Sequence, residues 1–349
     1  MKDPESRNYS RLSYSMFLLV IYFYYFVLSI VSNPIEVQGA VQVFSNSTNL
    51  KQIPPVLVNG KYKLNDLLVM FIGTSDSTRI NMVEQEWGNE FMDQTNNRMF
   101  VISNNGCPKS RVQCITYSAH YQEIVSKRYG YSWSNTDRAA KRAYATEYMI
   151  EKTDAKWLLV LTDDVWANVK RLVWFMEHIH EEKGDPYNNV LLEGHCIDRN
   201  AEYNFIQGGS GFIMSRKAAE KFMTFGPKWV SETSLPDDVH FSSAVQRLGL
   251  SIKQCTSGHF IGHGLIHYQA DAITSRKWDT LPNCPGSVNN VYCASGIYKL
   301  QDLMVFHYIP TSWKNFHIGK VITEGIPDNI FWYQTGDTPN MCKVTKQSE

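Results

Sequence analysis

A chain of 349 residues that is 43% hydrophobic and 19% charged holds enough apolar material for a sizeable core, which excludes wholesale disorder. Its 34 basic and 34 acidic residues give a formal net charge of +0. With no basic run and no nucleic-acid motif, the electrostatic footprint of a general DNA or RNA binder is missing. Once an anchor and a linker are subtracted, the length fits one large domain or two small ones.

The stretch Leu12 to Ser32, LSYSMFLLVIYFYYFVLSIVS, contains no charged residue. As a helix it spans roughly 30 Å, the thickness of a bilayer's hydrocarbon core. Lys2, Arg7 and Arg11 precede it, tempered by Asp3 and Glu5, and this bias favours a cytosolic N-terminus. The rival reading is a cleaved signal peptide, whose apolar core runs to about 7–15 residues before a small-x-small site; this run is longer and no such site follows. The expected layout is therefore a cytosolic tail at 1–11, a transmembrane anchor at 12–32, a stem at 33–60 and a lumenal domain at 61–349. Pro34, Gly39, the NST acceptor at Asn46 and the Pro54–Pro55 pair suit an extended, glycosylated stem, whereas the NYS at Asn8 falls on the cytosolic side. Among seven cysteines, Cys107/Cys114 and Cys284/Cys293 are spaced for short-loop disulfides. The odd count leaves at least one thiol free or bridged to another chain, and the lack of CxxC gives zinc ribbons no support.

From Leu64 the texture becomes that of a folded domain. LLVMFIGTS reads as a buried strand ending at Gly73, and STRINMVEQEWGNEF as a helix capped by Ser77 or Thr78. RMFVISNNG is a second strand, TDRAAKRAYATEYMIEKT a helix, and AKWLLVLTDD the next strand. VKRLVWFMEHIHEEKG places Val169, Leu172, Val173, Met176 and Ile179 on one face, ends at Gly184 and has Asn168 as its expected cap. Strands alternating with helices predict an α/β fold with a mostly parallel central sheet covered on both faces. Ligands in such folds sit at the carboxyl ends of strands, where Asp163 and Asp164 fall.

Four stretches carry chemistry. Asp163 and Asp164 repel each other unless a cation or hydrogen-bond donors share them, so a divalent metal competes with helix capping as the explanation. In IQGGSGFIMSRKAAEKF, Gly208, Gly209 and Gly211 allow a ligand close to the backbone, or else form a simple turn with Ser215 capping the next helix. Neither GxGxxG nor GxxxxGK[ST] occurs, so no nucleotide fingerprint applies. In LPDDVHFSSAVQRLGL, Asp237 is the expected N-cap, and Asp238 in the first turn suits an ionised general base. SGHFIGHGLIHY offers His259, His263 and His267, but Gly258, Gly262 and Gly264 argue against a helical three-histidine site.

Taken in order, GTS…R…W, TDDV, GGSGF, PDDV and the histidine cluster resemble the fringe-like β-1,3-glycosyltransferases and the related core 1 galactosyltransferases, over roughly Leu64 to His267. VFHY, near the C-terminus, resembles the corresponding core 1 segment. The resemblance implies a type II membrane protein of the Golgi (or ER) with a lumenal GT-A-type nucleotide-sugar-binding fold, a UDP-sugar donor, Mn²⁺ (or Mg²⁺), and inversion at the anomeric centre. It places Arg79 and Trp87 on the family's R-x7-W motif, near a nucleotide-binding loop that includes Thr74. It makes Asp164 the metal-binding acid and Asp163 the acid near the ribose. Gly208 and Gly209 become the wall against the donor sugar, Asp238 the catalytic base, and His263 the metal-binding histidine, with His307 its competitor. The departure is Thr162, where the family has a first acid. That departure is the ground for an alternative, a degenerate member acting as a lumenal UDP-sugar or glycan binder or chaperone. A metal-dependent phosphohydrolase would want more acids and histidines at strand ends. Expected partners are the donor, a glycan or glycoprotein acceptor, the membrane through the single N-terminal helix, and a second copy of the chain in a homodimer; nucleic acid is not among them.

Overall fold

The computed structural model describes residues 60–73, 77–104, 106–198, 204–262, 267–288, 296–307, 314–335 and 338–344. The chain divides into two units, Met1–Pro54 and Pro55–Glu349. The expected tail, the anchor and nearly all of the stem, with Asn8 and Asn46, lie outside the described residues. Among the described residues, no helix is long and apolar enough to cross a membrane.

Four strands, β1 (Leu67–Phe71), β2 (Met99–Ile102), β3 (Gln113–Ile115) and β4 (Trp157–Leu161), run parallel in the order β3-β2-β1-β4. Except at the edge strand β3 every residue in them is buried, as unbroken apolar runs require when both faces are covered. Beyond β4, and after β5 (Val165–Ala167), come β6 (Leu192–Gly194), the ribbon of β7 (Cys196–Asp198) and β8 (Asn204–Ile206), and β9 (Phe212–Ser215). β9 runs antiparallel to both β4 and β6 and completes the order β3-β2-β1-β4-β9-β6. The expected mostly parallel sheet is thus present, with β9 as its reversed strand.

Side chains alternate across a strand, so this sheet feeds two cores. Leu67, Val69, Phe71, Leu159 and Leu161 face one, and Leu68, Met70, Leu158 and Val160 the other. The first core is roofed by α1 (Ser77–Val83), a π-helical turn at Glu84–Gly88, and α2 (Asn89–Gln94). The second takes α3 (Ala119–Ser126) and the long α4 (Gly130–Lys152), whose Ala139, Ala140 and Ala143 let it approach closely. α5 (Val169–Lys183) packs Leu172, Phe175 and Met176 into the first core. α6 (Arg216–Met223), α7 (Gly226–Ser231) and α8 (Asp237–Arg247) join the second. After α8 come β10 (Phe260–Ile261), α9 (His267–Thr274), β11 (Ile297–Lys299), β12 (Val305–His307), α10 (Lys314–Glu324), β13 (Ile330–Thr335) and β14 (Thr338–Lys343). They build two small sheets, β10-β12-β5 and β11-β13-β14.

Several expectations need correction. α4 begins at Gly130, not Thr136, because Gly130, Ser132, Ser134 and Asn135 are weak helix formers and mask the start. A three-residue strand, β5, separates the acid pair from α5, so neither Asp163 nor Asp164 caps that helix. Asn168 occupies the cap position but makes no side-chain cap bond. Asp237 is the first residue of α8, with Pro236 in the cap position. Cys107–Cys114 is bridged as expected, but Cys284 pairs with Cys342, not Cys293. The reason is tertiary: the Cys284 N–H bonds Lys343 O at 3.0 Å, which brings the chain alongside β14. Cys293 itself lies outside the described residues. Cys255 is the free thiol among those described, and burial pushes it up to about 12, which leaves it inert.

Candidate active site

A cavity of about 520 Å³ opens at the carboxyl ends of β1, β2 and β4. Thr162, Asp163 and Asp164 leave β4 into it, and Gly73 leaves β1 beside them. Asp163 is buried against Gly73, where an added Cβ would collide with its carboxyl group. Arg79, in the first turn of α1, reaches both acids, at 3.4 Å from Asp163 Oδ1 and 3.6 Å from Asp164 Oδ2.

Trp87 grips the other end of the same segment, donating from Nε1 to Val165 O at 3.0 Å. Eight residues of α-helix would leave Arg79 and Trp87 about 80° apart around the axis. The π turn at Glu84–Gly88 advances fewer degrees per residue and closes that gap. The R-x7-W spacing therefore acts as a two-point clamp on the acid loop.

His307 ends β12, whose antiparallel register with β5 pairs His307 with Val165 and so sets it beside Asp164. Its Nδ1 lies 2.8 Å from Gly262 O. A carbonyl only accepts, so Nδ1 carries a proton and Nε2 faces Asp164 Oδ1 at 3.3 Å. Gly209 makes room for this ring: a Cβ there would stand 2.5 Å from Nδ1 and closer still to Cε1 and Nε2. Gly211 completes the turn at φ +71°, a conformation that favours glycine. Thr162 Oγ1 is 2.6 Å from Asp164 Oδ1 and 2.7 Å from Gly209 O. Burial alone would push the Asp164 carboxyl up, but His307, Thr162 and Arg79 outweigh it and hold it below the usual carboxylate range.

Among the described residues no group of three or more His, Cys, Asp or Glu is placed to hold a metal ion. Asp164 and His307 do form a convergent pair. With Nδ1 protonated, a neutral His307 would point a lone pair at a carboxylate oxygen. Two acceptors 3.3 Å apart need a shared proton or a cation between them. One carboxylate and one imidazole suit a hard-to-borderline divalent ion whose remaining positions are filled by ligand oxygens. The residues present thus fit the implied metal. His263 and Thr74 lie outside the described residues. His259 belongs elsewhere: it packs on Trp174 and Phe175, and Nδ1 bonds Asp302 O at 2.9 Å.

Asp238 is not among the residues that line the cavity. It rests against Gly208, where an added Cβ would meet the Asp238 Cβ at 2.9 Å, and one carboxylate oxygen accepts from Val239 N–H at 2.9 Å. Its neighbour Asp237 is buried and clamped by Arg138 (2.6 Å) and Arg142. Burial opposes ionisation of Asp237, but the two guanidinium groups hold its carboxyl below the usual range.

Sequence reasoning missed the α4 side of the cavity. Trp133, Asp137 and Lys141 recur at intervals of four and line it. Lys141 Nζ donates to Gly73 O (3.0 Å) and pairs with Asp137 (2.9 Å). Asp137 also accepts from Tyr117 Oη at 3.0 Å and from Asn104. The available signal was a column of charge on a helix otherwise rich in alanine.

The sequence profile described as Fringe-like matches residues 69–272. Among solved structures, one titled as a crystal structural analysis of an active-site mutant of LgtC is similar at 12% identity and a TM-score of 0.38, covering 75% of this chain and 98% of that one. No curated protein sequence matches. The family profile spans more than half of the chain and includes the clamp, the acid loop, the glycine turn and the helix bearing Asp238; the protein belongs to the fringe-like family of glycosyltransferases.

Proposed function

We propose that the protein is an inverting β-1,3-glycosyltransferase on a GT-A-type fold, moving a hexose or N-acetylhexosamine from a UDP-sugar to a glycan hydroxyl. The observation that carries this reading is the convergence of Asp164, His307 and Arg79 on one cavity, with the Gly208–Gly209 turn and Asp238 beside it. Arg79 supplies positive charge toward a diphosphate, and Lys141 adds a second cation lining the cavity. Asp163, against Gly73 and beside Arg79, suits the ribose end of the donor. Gly208 and Gly209, whose missing side chains make room for Asp238 and His307, form the backbone wall that the family resemblance sets against the donor sugar. Asp238 in the first turn of α8 takes the proton from the acceptor hydroxyl as that oxygen attacks the face opposite the leaving group. One base and in-line attack give inversion, with no covalent intermediate. Mn²⁺ or Mg²⁺ would be held by Asp164 and by His307 or His263, and when bound it serves as a Lewis acid on the leaving diphosphate. The bridges Cys107–Cys114 and Cys284–Cys342 suit an oxidising lumen, in keeping with the lumenal domain read from residues 12–32 and the Golgi or ER placement that the family resemblance implies.

The test is UDP-sugar turnover with and without Mn²⁺. Asp164→Ala is expected to abolish the metal dependence. Asp238→Asn is expected to lower transfer by about 10²–10⁴-fold while leaving UDP affinity intact. UDP binding with no turnover toward any acceptor would favour the binder that Thr162 suggests. Indifference to UDP would defeat both readings.

A further inference from the structure

Helix α4 carries two charged pairs at i, i+4 spacing, one residue out of step with each other. In the first, Lys141 pairs with Asp137 at 2.9 Å and donates to Gly73 O, at the end of β1, at 3.0 Å. In the second, Arg138 and Arg142 share the Asp237 carboxylate of α8: Arg138 Nε donates to Oδ1 at 2.6 Å and Arg142 Nη1 to Oδ2. One helix therefore grips both the exit of β1 and the first turn of α8.

The first turn of α8 lacks a cap of its own. Pro236 stands in the cap position and makes no side-chain cap bond. The usual device that fixes a helix start is missing, and Asp237 is held from outside instead. Arg138 is itself tied down, with Nη1 donating to Ser134 Oγ at 2.7 Å and Nη2 to Asn135 Oδ1 at 2.8 Å. Arg142 is buried over the Phe241 ring at 5.6 Å, and its Nη2 fills the space where a Gly208 Cβ would stand. The Asp238 Cβ borders the same spot, 2.9 Å from that Cβ position. Arg142, Gly208 and Asp238 thus meet at one point. Two arginines at i, i+4 repel each other unless an anion lies between them, and Asp237 is that anion. A buried ion cluster adds little net stability over apolar packing of equal volume, so stability alone does not account for it. What it does supply is a fixed geometry for the residue that follows, Asp238.

We propose that Asp237 and Arg138 are positioning residues, through which α4 sets the Asp238 carboxylate relative to the cavity that Arg138 and Lys141 line. This rests on the transferase reading above, with Asp238 as the base. Neither side chain need touch the reacting atoms; both act through Asp238. A reacting group misplaced by about 1 Å can cost about 10²-fold in rate, which is the scale of effect at stake.

The experiment uses the full-length chain with Mn²⁺ and, in turn, UDP-galactose, UDP-glucose and UDP-N-acetylglucosamine, with water as acceptor. Arg138, whose side chain is 33% exposed, is replaced by Met, which keeps the stem without the guanidinium, and by Lys, which keeps a donor for Asp237. Arg138→Met is expected to lower kcat of hydrolysis about 10–100-fold with KM and UDP affinity unchanged, and Arg138→Lys to recover most of the loss. In an Asp238→Asn background Arg138→Met should add little, because its effect passes through that carboxylate. Hydrogen exchange on the same samples should quicken at the amides of Val239 and His240 and stay unchanged along α5. The proposal is overturned if either kcat or exchange ignores Arg138→Met, if UDP affinity falls in step with kcat, which would make Arg138 a donor ligand, or if the losses add in the double variant. A wild-type chain that binds no UDP would instead overturn the transferase reading, and exchange that ignores Arg138→Met would still overturn the positioning of the turn.

Discussion

Replacing Gly209 with alanine tests the geometry of the site more sharply than removing any charged group. The new Cβ would stand 2.5 Å from His307 Nδ1 and nearer to two other ring atoms. Normal carbon contacts lie at about 3.5–4.0 Å, so ring or turn must give by at least about 1 Å. The ring resists, because Nδ1 is tied to Gly262 O at 2.8 Å and the backbone of His307 is fixed by the β12–β5 register. The turn resists because Gly209 O is 2.7 Å from Thr162 Oγ1. Either shift opens the 3.3 Å Asp164–His307 pair. Misplacing an imidazole ligand or its support typically weakens divalent-cation affinity by about 10–100-fold. The assay is Mn²⁺ binding by calorimetry in the presence of UDP, with thermal unfolding to confirm that the fold survives. Because the effect acts through the ring, Gly209→Ala should add little once His307 is already alanine. Additive losses in that double variant, or unchanged Mn²⁺ affinity in the single one, would refute the reasoning.

Two stability predictions follow from buried charge. Asp237→Ala strands Arg138 and the buried Arg142, so it should cost about 3–5 kcal/mol in urea unfolding, and a loss below about 1 kcal/mol would show the clamp to be dispensable. His259 is pushed down to about 4, first by burial and then by His178 and Arg171. In the unfolded chain it titrates near 6.5, so as pH falls the unfolded state takes up the proton first. Stability should therefore be level above about pH 6.5 and decline from there toward pH 4, by at most about 3 kcal/mol from this group. His259→Gln should flatten that decline in urea midpoints measured at pH 7 and pH 5, and an equal decline in both chains would clear His259 of the effect.

The sheet was legible wherever the sequence carries a local signature. The apolar runs of β1 and β4, Ser215 accepting from Ala218 N–H, and the glycine end of α5 all lie where the pattern places them. The site was legible in its separate motifs but not in its assembly. His307 meets Asp164 only because β12 pairs with β5, and no local pattern encodes that pairing. Cys284–Cys342 escaped notice for the same reason, being set by the β14 edge, while the nearer Cys293 satisfied spacing alone. Asp137 and Lys141 were passed over because charges on a helix usually mark a solvated face. Here both are buried and paired, and that became visible only when α4 was seen against Gly73.

Thr162 is the residue on which the family pattern and the physics of this chain pull apart. A carboxylate at its position would face the Asp164 carboxylate and the Gly209 carbonyl, three acceptors with no proton among them. Without a cation that arrangement is costly, which is why an all-acid loop depends on its metal. A threonine hydroxyl brings one donor into the same space, at 2.6 Å from Asp164 Oδ1 and 2.7 Å from Gly209 O. With Arg79 on Oδ2 and the Thr162 hydroxyl on Oδ1, Asp164 is already held in one orientation by protein donors. A threonine in place of an acid removes one negative charge from the loop and leaves the remaining carboxylate oriented by its hydroxyl. Thr162 therefore lets the fold's own donors hold the acid loop together.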